Sequence, residues 1–174
     1  MTAAETASPA AIAAIGFVID RCEGGASIVT DSGGLTRFGI SARSYPLLDI
    51  AHLTRAAAED IYLADYWQPI RGDDLEPGLA LLLLDAAVNQ GVQTAVRYLQ
   101  RLLCVDDDGQ MGARTIGAAR RYLPPSELRA QYASMRIRAY YELTRTKPIY
   151  TKYLNGWIAR VHRVLDEAGR VGRQ

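Results

Sequence analysis

The sequence predicts a mainly α-helical protein with one short, irregular β-hairpin, and three observations support this fold class. Two apolar segments rich in helix-forming residues, 9–23 and 79–88, begin at or just after a proline and end near a glycine. Between them, residues 31–40 combine turn residues with strand-compatible ones. At 174 residues, 49% of them hydrophobic and 22% charged, the chain can bury one good core, as one domain or two lobes.

The first helix is expected to run from about Pro9 to Glu23. Ser8 can cap its N-terminus, and a proline suits the first helical position. Apolar residues recur at spacings of three and four along one face: Ile12, Ile15, Ile19 and Cys22. Gly24 and Gly25 then end the helix. Glu23 therefore lies near the negative end of the helix dipole, a position that suits a proton donor better than a charged carboxylate.

Glu23 and the hairpin that follows it carry the candidate chemistry. The hairpin is expected to fold back over the helix end and to hold Asp31 and Thr36 near Glu23. Two carboxyl groups and a hydroxyl would then line one cleft, and a separation of roughly 6.5–9.5 Å between the carboxyl groups would admit a water that attacks a glycosidic bond. Taken singly, the three residues also fit a solvated surface glutamate, an Asx-turn aspartate and a strand threonine.

These motifs resemble the signature of glycoside hydrolase family 108, the muramidases that many phages use as endolysins. The resemblance is carried by the segments 23–25 and 31–40, which read Glu-Gly-Gly and Asp-x-Gly-Gly-x-Thr-x-x-Gly-Ile. It implies a lysozyme-like fold with the hairpin next to the active site. It also implies that Glu23 is the proton donor, while Asp31 and Thr36 position or activate water.

Two departures from the family pattern lie before the hairpin turn. Ala26 stands where an aromatic residue is usual. Residues 27–30 replace the usual Asn-Asp-Pro segment, and the spacing is one residue shorter. Glu23 is unaffected, but the chain lacks one acid that the family normally offers beside Asp31.

A second helix is expected from about Arg55 to Tyr66, with Thr54 as its cap. The run of residues 65–69, Asp-Tyr-Trp-x-Pro, resembles a Tyr-Trp-x-Pro segment of the family and implies that Tyr66 and Trp67 contact sugar. Packing in the core is the alternative, because aromatic residues at a helix end usually bury the ring and turn the polar tip outward.

The apolar run 79–88 predicts a buried central helix. Asp85 lies within it and needs a partner, since an unpaired buried carboxylate is costly. Residues 85–91 also match the family pattern Asp-x-x-Val-Asn-x-Gly. Asn89 in that motif either lines the substrate groove or caps the helix.

The second half of the chain is predicted to be helical and resembles a peptidoglycan-binding repeat over residues 99–115. Its acidic run, 106–108, lacks the alternating ligands of a calcium loop, so we expect a turn with Gly109 at positive φ. The expected organisation is a lysozyme-like catalytic lobe at 1–96, with the hairpin and central helix, and a peptidoglycan-binding-like lobe at 97–174 packed on it as one compact unit. Residues 1–96 hold 5 basic and 12 acidic residues, whereas 97–174 hold 15 and 7.

Composition also limits the cofactors and partners. Cys22 and Cys104 lack metal-ligand spacing, so no cofactor and no metal are expected. The apolar run 10–19 is shorter than the about 20 residues of a membrane span and lacks a basic leader. We therefore expect synthesis in the host cytoplasm without a signal peptide, dependence on a holin for export, and action in the periplasm or cell wall. A monomer is expected, and no nucleic-acid partner, because the Arg- and Tyr-rich half contains no groove-reading motif.

The predicted function is that of an endolysin-type peptidoglycan hydrolase. It would be an N-acetylmuramidase, which cleaves the β-1,4 bond between N-acetylmuramic acid and N-acetylglucosamine. Two alternatives stay open. In a lytic transglycosylase, Glu23 would act alone as acid and then base, with the sugar's own 6-hydroxyl replacing water. In a non-catalytic peptidoglycan-binding protein, the fold would persist without activity.

Overall fold

The computed structural model describes residues 6–31 and 34–173, and of Asp31 it describes the backbone. Contacts within the chain define two compact units, Met1–Gln68 and Pro69–Gln174. Helices dominate both units, and one small sheet lies in the first, so the predicted mainly α-helical fold is confirmed. The division between the units falls before the lobe boundary predicted at residue 96, and that boundary stays a prediction.

Helix α1 spans Pro9–Phe17 and continues through a π-helical turn, Val18–Cys22, which we call the first π-turn. Ser8 caps it, because its hydroxyl accepts a hydrogen bond from the Ala11 N–H at 3.1 Å. The buried face consists of small and branched apolar side chains: Ala11, Ala14, Ile15, Val18 and Ile19. The helical segment therefore reaches the residue before Glu23, close to the predicted end, with a change of helix type in its last turn.

The hairpin region forms a three-stranded antiparallel sheet in the order β1-β2-β3. The strands are β1 (Ile28–Asp31), β2 (Gly34–Arg37) and β3 (Ile40–Ser41). Thr36 in β2 pairs with Val29 on one side and Ser41 on the other. Phe38 and Gly39 form the turn from β2 to β3 with φ values of +53° and +78°. The predicted hairpin thus gains a short third strand.

Helix α2, Arg55–Tyr62, runs into the second π-turn, Leu63–Trp67. Thr54 caps it as predicted, with its hydroxyl accepting from the Ala57 N–H at 3.2 Å. An ion pair ties the two helices of this unit together. The Arg55 guanidinium donates to both carboxylate oxygens of Asp20, in the first π-turn, at 2.5 and 2.9 Å.

The second unit is built around α3, Pro77–Gln90, whose residues from Gly78 to Ala87 are all buried. This confirms the predicted central helix. The Glu76 carboxylate caps its N-terminus by accepting from the Gly78 and Leu79 N–H groups at 3.1 and 2.8 Å. The other helices of this unit are α4 (Val92–Leu102), α5 (Ala113–Arg121), α6 (Pro125–Thr146) and α7 (Leu154–Val171), and α4, α6 and α7 contact α3 directly.

Asp85 finds its partner in two arginines from the surrounding helices. Its side chain is fully buried, and one oxygen accepts from Arg160 Nε at 2.8 Å. The other oxygen lies 2.8 Å from Nη1 of Arg136, which is also fully buried. The expectation that this carboxylate needs partners is therefore confirmed. The two ion pairs link α6 and α7 to α3.

The acidic run 106–108 belongs to a turn held by Gln100. The Gln100 side chain accepts from the Gly109 N–H at 2.8 Å and donates to Asp108 at 2.8 Å. Gly109 has φ +78°, as predicted. Within the described ranges, no helix is both long and apolar enough to span a membrane.

Candidate active site

Glu23 lies where α1 ends, and the first π-turn sets its position. The Glu23 N–H donates to the Val18 carbonyl at 3.1 Å, and the Gly25 N–H donates to the Ile19 carbonyl at 2.9 Å. Gly24 and Gly25, with φ values of +77° and +60°, then turn the chain away from the helix. A π-turn adds one residue to a helical turn and is frequent at functional sites. It decides which way Glu23 faces.

The Glu23 side chain lies against Gly39, in the turn between β2 and β3. A Cβ atom built on Gly39 would lie 2.6 Å from Glu23 Cγ, 2.8 Å from Glu23 Oε2 and 2.5 Å from the Tyr62 hydroxyl oxygen. Real Cβ atoms essentially never lie so close to other atoms, so a side chain at this position would force Glu23 and Tyr62 to move, and the φ of +78° also favours glycine. The sheet therefore does lie over the end of α1, as the sequence predicts.

Tyr62 joins α2 to the same turn. Its hydroxyl donates to the Phe38 carbonyl at 3.0 Å, and the ring is buried. The end of α1, the β2–β3 turn and α2 thus meet around Gly39. Glu23 is half-buried at this junction.

Thr36 lies in the middle of β2, three residues before Gly39. Its hydroxyl oxygen is buried and has no hydrogen-bond partner among the described residues. Such a group usually bonds an ordered water, because a buried hydroxyl without a partner is costly. The geometry suits a hydroxyl that holds water, which is the role the sequence predicts for Thr36.

Asp31 ends β1, where its backbone pairs with Gly34. Its side chain lies outside the described part of the structure, as do Ser32 and Gly33. The catalytic role of Asp31 therefore stays a prediction.

The two aromatic residues predicted to contact sugar differ in exposure. Trp67 is 1% exposed, so a sugar could reach its ring only after the surrounding side chains rearrange. Tyr66 is half-buried, and its ring lies 5.5 Å from that of Tyr62.

Tyr45 lies beside the second π-turn, where its hydroxyl donates to Asp65 at 2.8 Å. Burial raises the pKa of Tyr45, and its hydrogen bonds with Tyr66 and Asp65 raise it further.

Asn89 belongs to the second unit and is exposed near the end of α3. Its side-chain oxygen accepts from the Tyr140 hydroxyl at 2.5 Å. Gly91, with φ +90°, ends the helix. The sequence left capping and groove lining open for Asn89. The described contacts give it a side-chain partner on α6, and its predicted role in substrate binding stays a prediction.

Comparison with known proteins assigns the two halves of the chain. Residues 17–91 match the family model of glycosyl hydrolase 108, and residues 94–162 match that of a predicted peptidoglycan domain. The resemblance to glycoside hydrolase family 108 is confirmed. The family 108 match contains Glu23, Asp31, Thr36, Tyr66, Trp67 and Asn89.

A solved structure is similar to this chain over nearly its whole length. The structure of Brucella abortus SagA is similar to this chain with a TM-score of 0.82 and 28% identity, over 97% of this chain and 98% of that one. No curated protein matches the chain. The predicted lysozyme-like, mainly α-helical fold class is confirmed, and the two family matches indicate a glycoside hydrolase that acts on peptidoglycan.

The sequence assigns no role of their own to two residues of this site, Gly39 and Tyr62. Gly39 appears only as a member of the motif at 31–40, and Tyr62 lies in the predicted second helix. A glycine inside a strand pattern often marks a close approach of another group, and that signal could have identified Gly39. Tyr62 offers no such signal, because its contact depends on how α2 packs.

Among the side chains of residues 6–30 and 34–173, no three His, Cys, Asp or Glu come close enough to bind a metal ion together. Neither Cys22 nor Cys104 forms a disulfide bond within the described residues; Cys22, next to Glu23 in the chain, is half-buried and Cys104 is exposed.

Proposed function

We propose that this chain is an N-acetylmuramidase that hydrolyses the β-1,4 bond between N-acetylmuramic acid and N-acetylglucosamine, with Glu23 as general acid. One observation carries the proposal. The Glu23 side chain lies where the end of α1, the β2–β3 turn and α2 meet, against Gly39, where an added Cβ would come within 2.6 Å of Glu23 Cγ. Fixed geometry of this kind is what an acid catalyst needs, because a misplaced proton donor loses much of its effect.

The proposed reaction begins with transfer of the Glu23 proton to the glycosidic oxygen. As the bond to C1 of N-acetylmuramic acid breaks, positive charge develops on that sugar ring. A water molecule then forms the new bond to C1. We assign the positioning of this water to the Thr36 hydroxyl and the Asp31 carboxylate, and Asp31 takes the proton that the water loses. The hydroxyl of Thr36, which is buried and has no hydrogen-bond partner among the described residues, supports its part in this step.

The test is product analysis after digestion of purified peptidoglycan. Glu23→Gln keeps the shape of the side chain but cannot donate a carboxylic proton, so we expect a rate loss of about two decades or more. Glu142→Gln is the matched control, because Glu142 is an exposed glutamate that pairs only with Arg145 in the described structure. The rates of the Asp31→Asn and Thr36→Ala variants then show whether these two side chains position the attacking water. Mass spectrometry of the products identifies the sugar at each new end.

Each product pattern has one interpretation. Reducing N-acetylmuramic acid ends that disappear with Glu23→Gln support the muramidase. Anhydro ends would contradict hydrolysis and assign the chain to the lytic transglycosylases. A folded wild-type protein that binds peptidoglycan but releases no products would refute an enzymatic role and leave a binding protein.

We also propose that the enzyme acts as a monomeric endolysin. It would be made in the host cytoplasm and reach the periplasmic cell wall through a holin. This part rests on the resemblance of family 108 to phage lysis enzymes. Expression in a Gram-negative host with and without a holin tests it, since lysis that does not depend on the holin would contradict it. Sedimentation analysis checks the monomer.

A further inference from the structure

Three aromatic rings form a surface in the second unit that the proposed reaction does not use. Tyr150 and Tyr153 lie on a 3₁₀ turn, Pro148–Tyr153, and Trp157 lies in the first turn of α7. The Tyr153 ring stacks with Trp157 at 5.8 Å, and Tyr150 is tilted against Trp157 at 6.2 Å. Tyr150 is 36% exposed and Tyr153 47% exposed. We call these three residues the aromatic platform.

The aromatic platform is anchored on the core of the unit. Tyr140, which is buried, stacks with Trp157 at 4.9 Å, and the Tyr140 hydroxyl is fixed by its bond to Asn89. Trp157 also packs against the buried cluster that contains Ala133 and Val161. Rings held in this way lose little conformational freedom when a ligand binds, which favours their use in recognition.

The surroundings of the platform are cationic. The only two lysines of the chain lie at the 3₁₀ turn, with Lys147 directly before it and Lys152 within it, and Lys152 Nζ lies 4.9 Å from the centre of the Tyr153 ring. The sequence has no Asp or Glu between Glu142 and Asp166. Exposed aromatic rings beside positively charged side chains mark an interaction site for an anionic partner.

We propose that the aromatic platform binds a peptidoglycan strand, with the tyrosine rings against the apolar faces of the sugars and the lysines near the carboxylates of the stem peptides. The platform lies within residues 94–162, which match the peptidoglycan domain. Peptidoglycan matches both the aromatic rings and the positive charge of this surface, because its sugars have apolar ring faces and its stem peptides carry negative charge. The inference rests on the proposed function for the identity of the polymer, and it adds a second contact with the same substrate.

The test measures binding to purified, insoluble peptidoglycan by co-sedimentation. All proteins carry Glu23→Gln, so that digestion does not remove the ligand. Tyr150→Ala with Tyr153→Ala should weaken binding about tenfold or more, since two exposed anchor rings are lost. Tyr141→Ala is the matched control, because Tyr141 is a tyrosine with similar exposure, 54%, outside the platform. Circular dichroism and thermal unfolding show that each variant is folded.

A second variant tests the charge without removing a ring. Lys152→Gln should weaken binding at low salt by several-fold and make binding less dependent on salt. Vesicles of phosphatidylethanolamine and phosphatidylglycerol, 3:1, are tested in parallel. A double tyrosine variant that still binds peptidoglycan like its parent, or that loses only vesicle binding, overturns the inference. Hydrolysis by the protein with Glu23 intact is measured separately, so failure of the muramidase proposal and failure of the platform give different results.

Discussion

Gly39→Ala should separate the geometry of Glu23 from the stability of the sheet. The added Cβ would come within 2.6 Å of Glu23 Cγ and 2.5 Å of the Tyr62 hydroxyl, so both side chains must move. The left-handed backbone costs about 1–2 kcal/mol for a residue with a Cβ, and loss of the bond from Tyr62 to Phe38 costs about 0.5–1.5 kcal/mol more. We therefore expect a loss of about 2–3 kcal/mol in the free energy of unfolding.

The activity loss in Gly39→Ala should exceed what its stability explains. Displacement of an acid catalyst by about 1 Å costs on the order of a hundredfold in rate, so kcat for peptidoglycan should fall by about that factor. The assay combines release of reducing ends with urea unfolding, at a temperature where both proteins are folded.

Gly91→Ala is the matched control for Gly39→Ala. Gly91 has φ +90°, and a Cβ built there meets nothing within 4 Å, so this variant carries the backbone strain without the clash. It should lose stability but keep its kcat. If Gly39→Ala keeps activity within about twofold of wild type, or if Gly91→Ala loses as much activity, the contact between Gly39 and Glu23 does not position the acid.

Three further predictions concern single residues. Thr36→Val should leave the free energy of unfolding unchanged or higher, because the hydroxyl has no partner among the described residues. It should lower the hydrolysis rate about tenfold or more. An unchanged rate would remove Thr36 from the mechanism. Arg160→Met should destabilise the fold by about 3 kcal/mol, since Asp85 is fully buried and keeps only one arginine, and urea unfolding measures this loss. The hydrogen bond from Arg55 lowers the pKa of Asp20, so this pair stabilises the fold above the unfolded pKa of about 3.9 and the effect is lost as the pH falls through the lower folded value. Because both side chains are partly exposed, the effect should be below about 1 kcal/mol, and Asp20→Asn should remove it from the acid side of the pH–stability curve.

The sequence was sufficient to predict features that depend on local pattern. The cap at Ser8, the buried run of α3 and the positive φ of Gly109 all follow from residue type and spacing. The need of Asp85 for a partner also follows, because a long apolar run buries any charge within it. Its partner Arg160 could not be predicted, since it lies 75 residues away and meets Asp85 only through the packing of α7 on α3.

Features that depend on tertiary packing were beyond the sequence. The π-turns Val18–Cys22 and Leu63–Trp67 carry the same residue types as ordinary helix, so nothing in their pattern indicates an added residue. The third strand has only two residues and forms because Gly39 turns the chain back beside β2. Trp67 shows the same limit, because its motif does not tell that the helix turns the ring into the core.

The first π-turn places one more residue before Glu23 than a regular helical turn would hold. A π-turn is an α-helix with one residue inserted, and each residue of an α-helix turns the chain by about 100°. Because this turn holds the extra residue without a change of phase, deleting one residue from Val18–Cys22 would restore a regular helix and leave Glu23 facing about the same way. Regular helix over all five residues would instead rotate Glu23 by about 100°, away from Gly39. A relative with a one-residue gap in this turn can therefore keep the direction of its acid, whereas a relative of equal length needs the π-turn to do so.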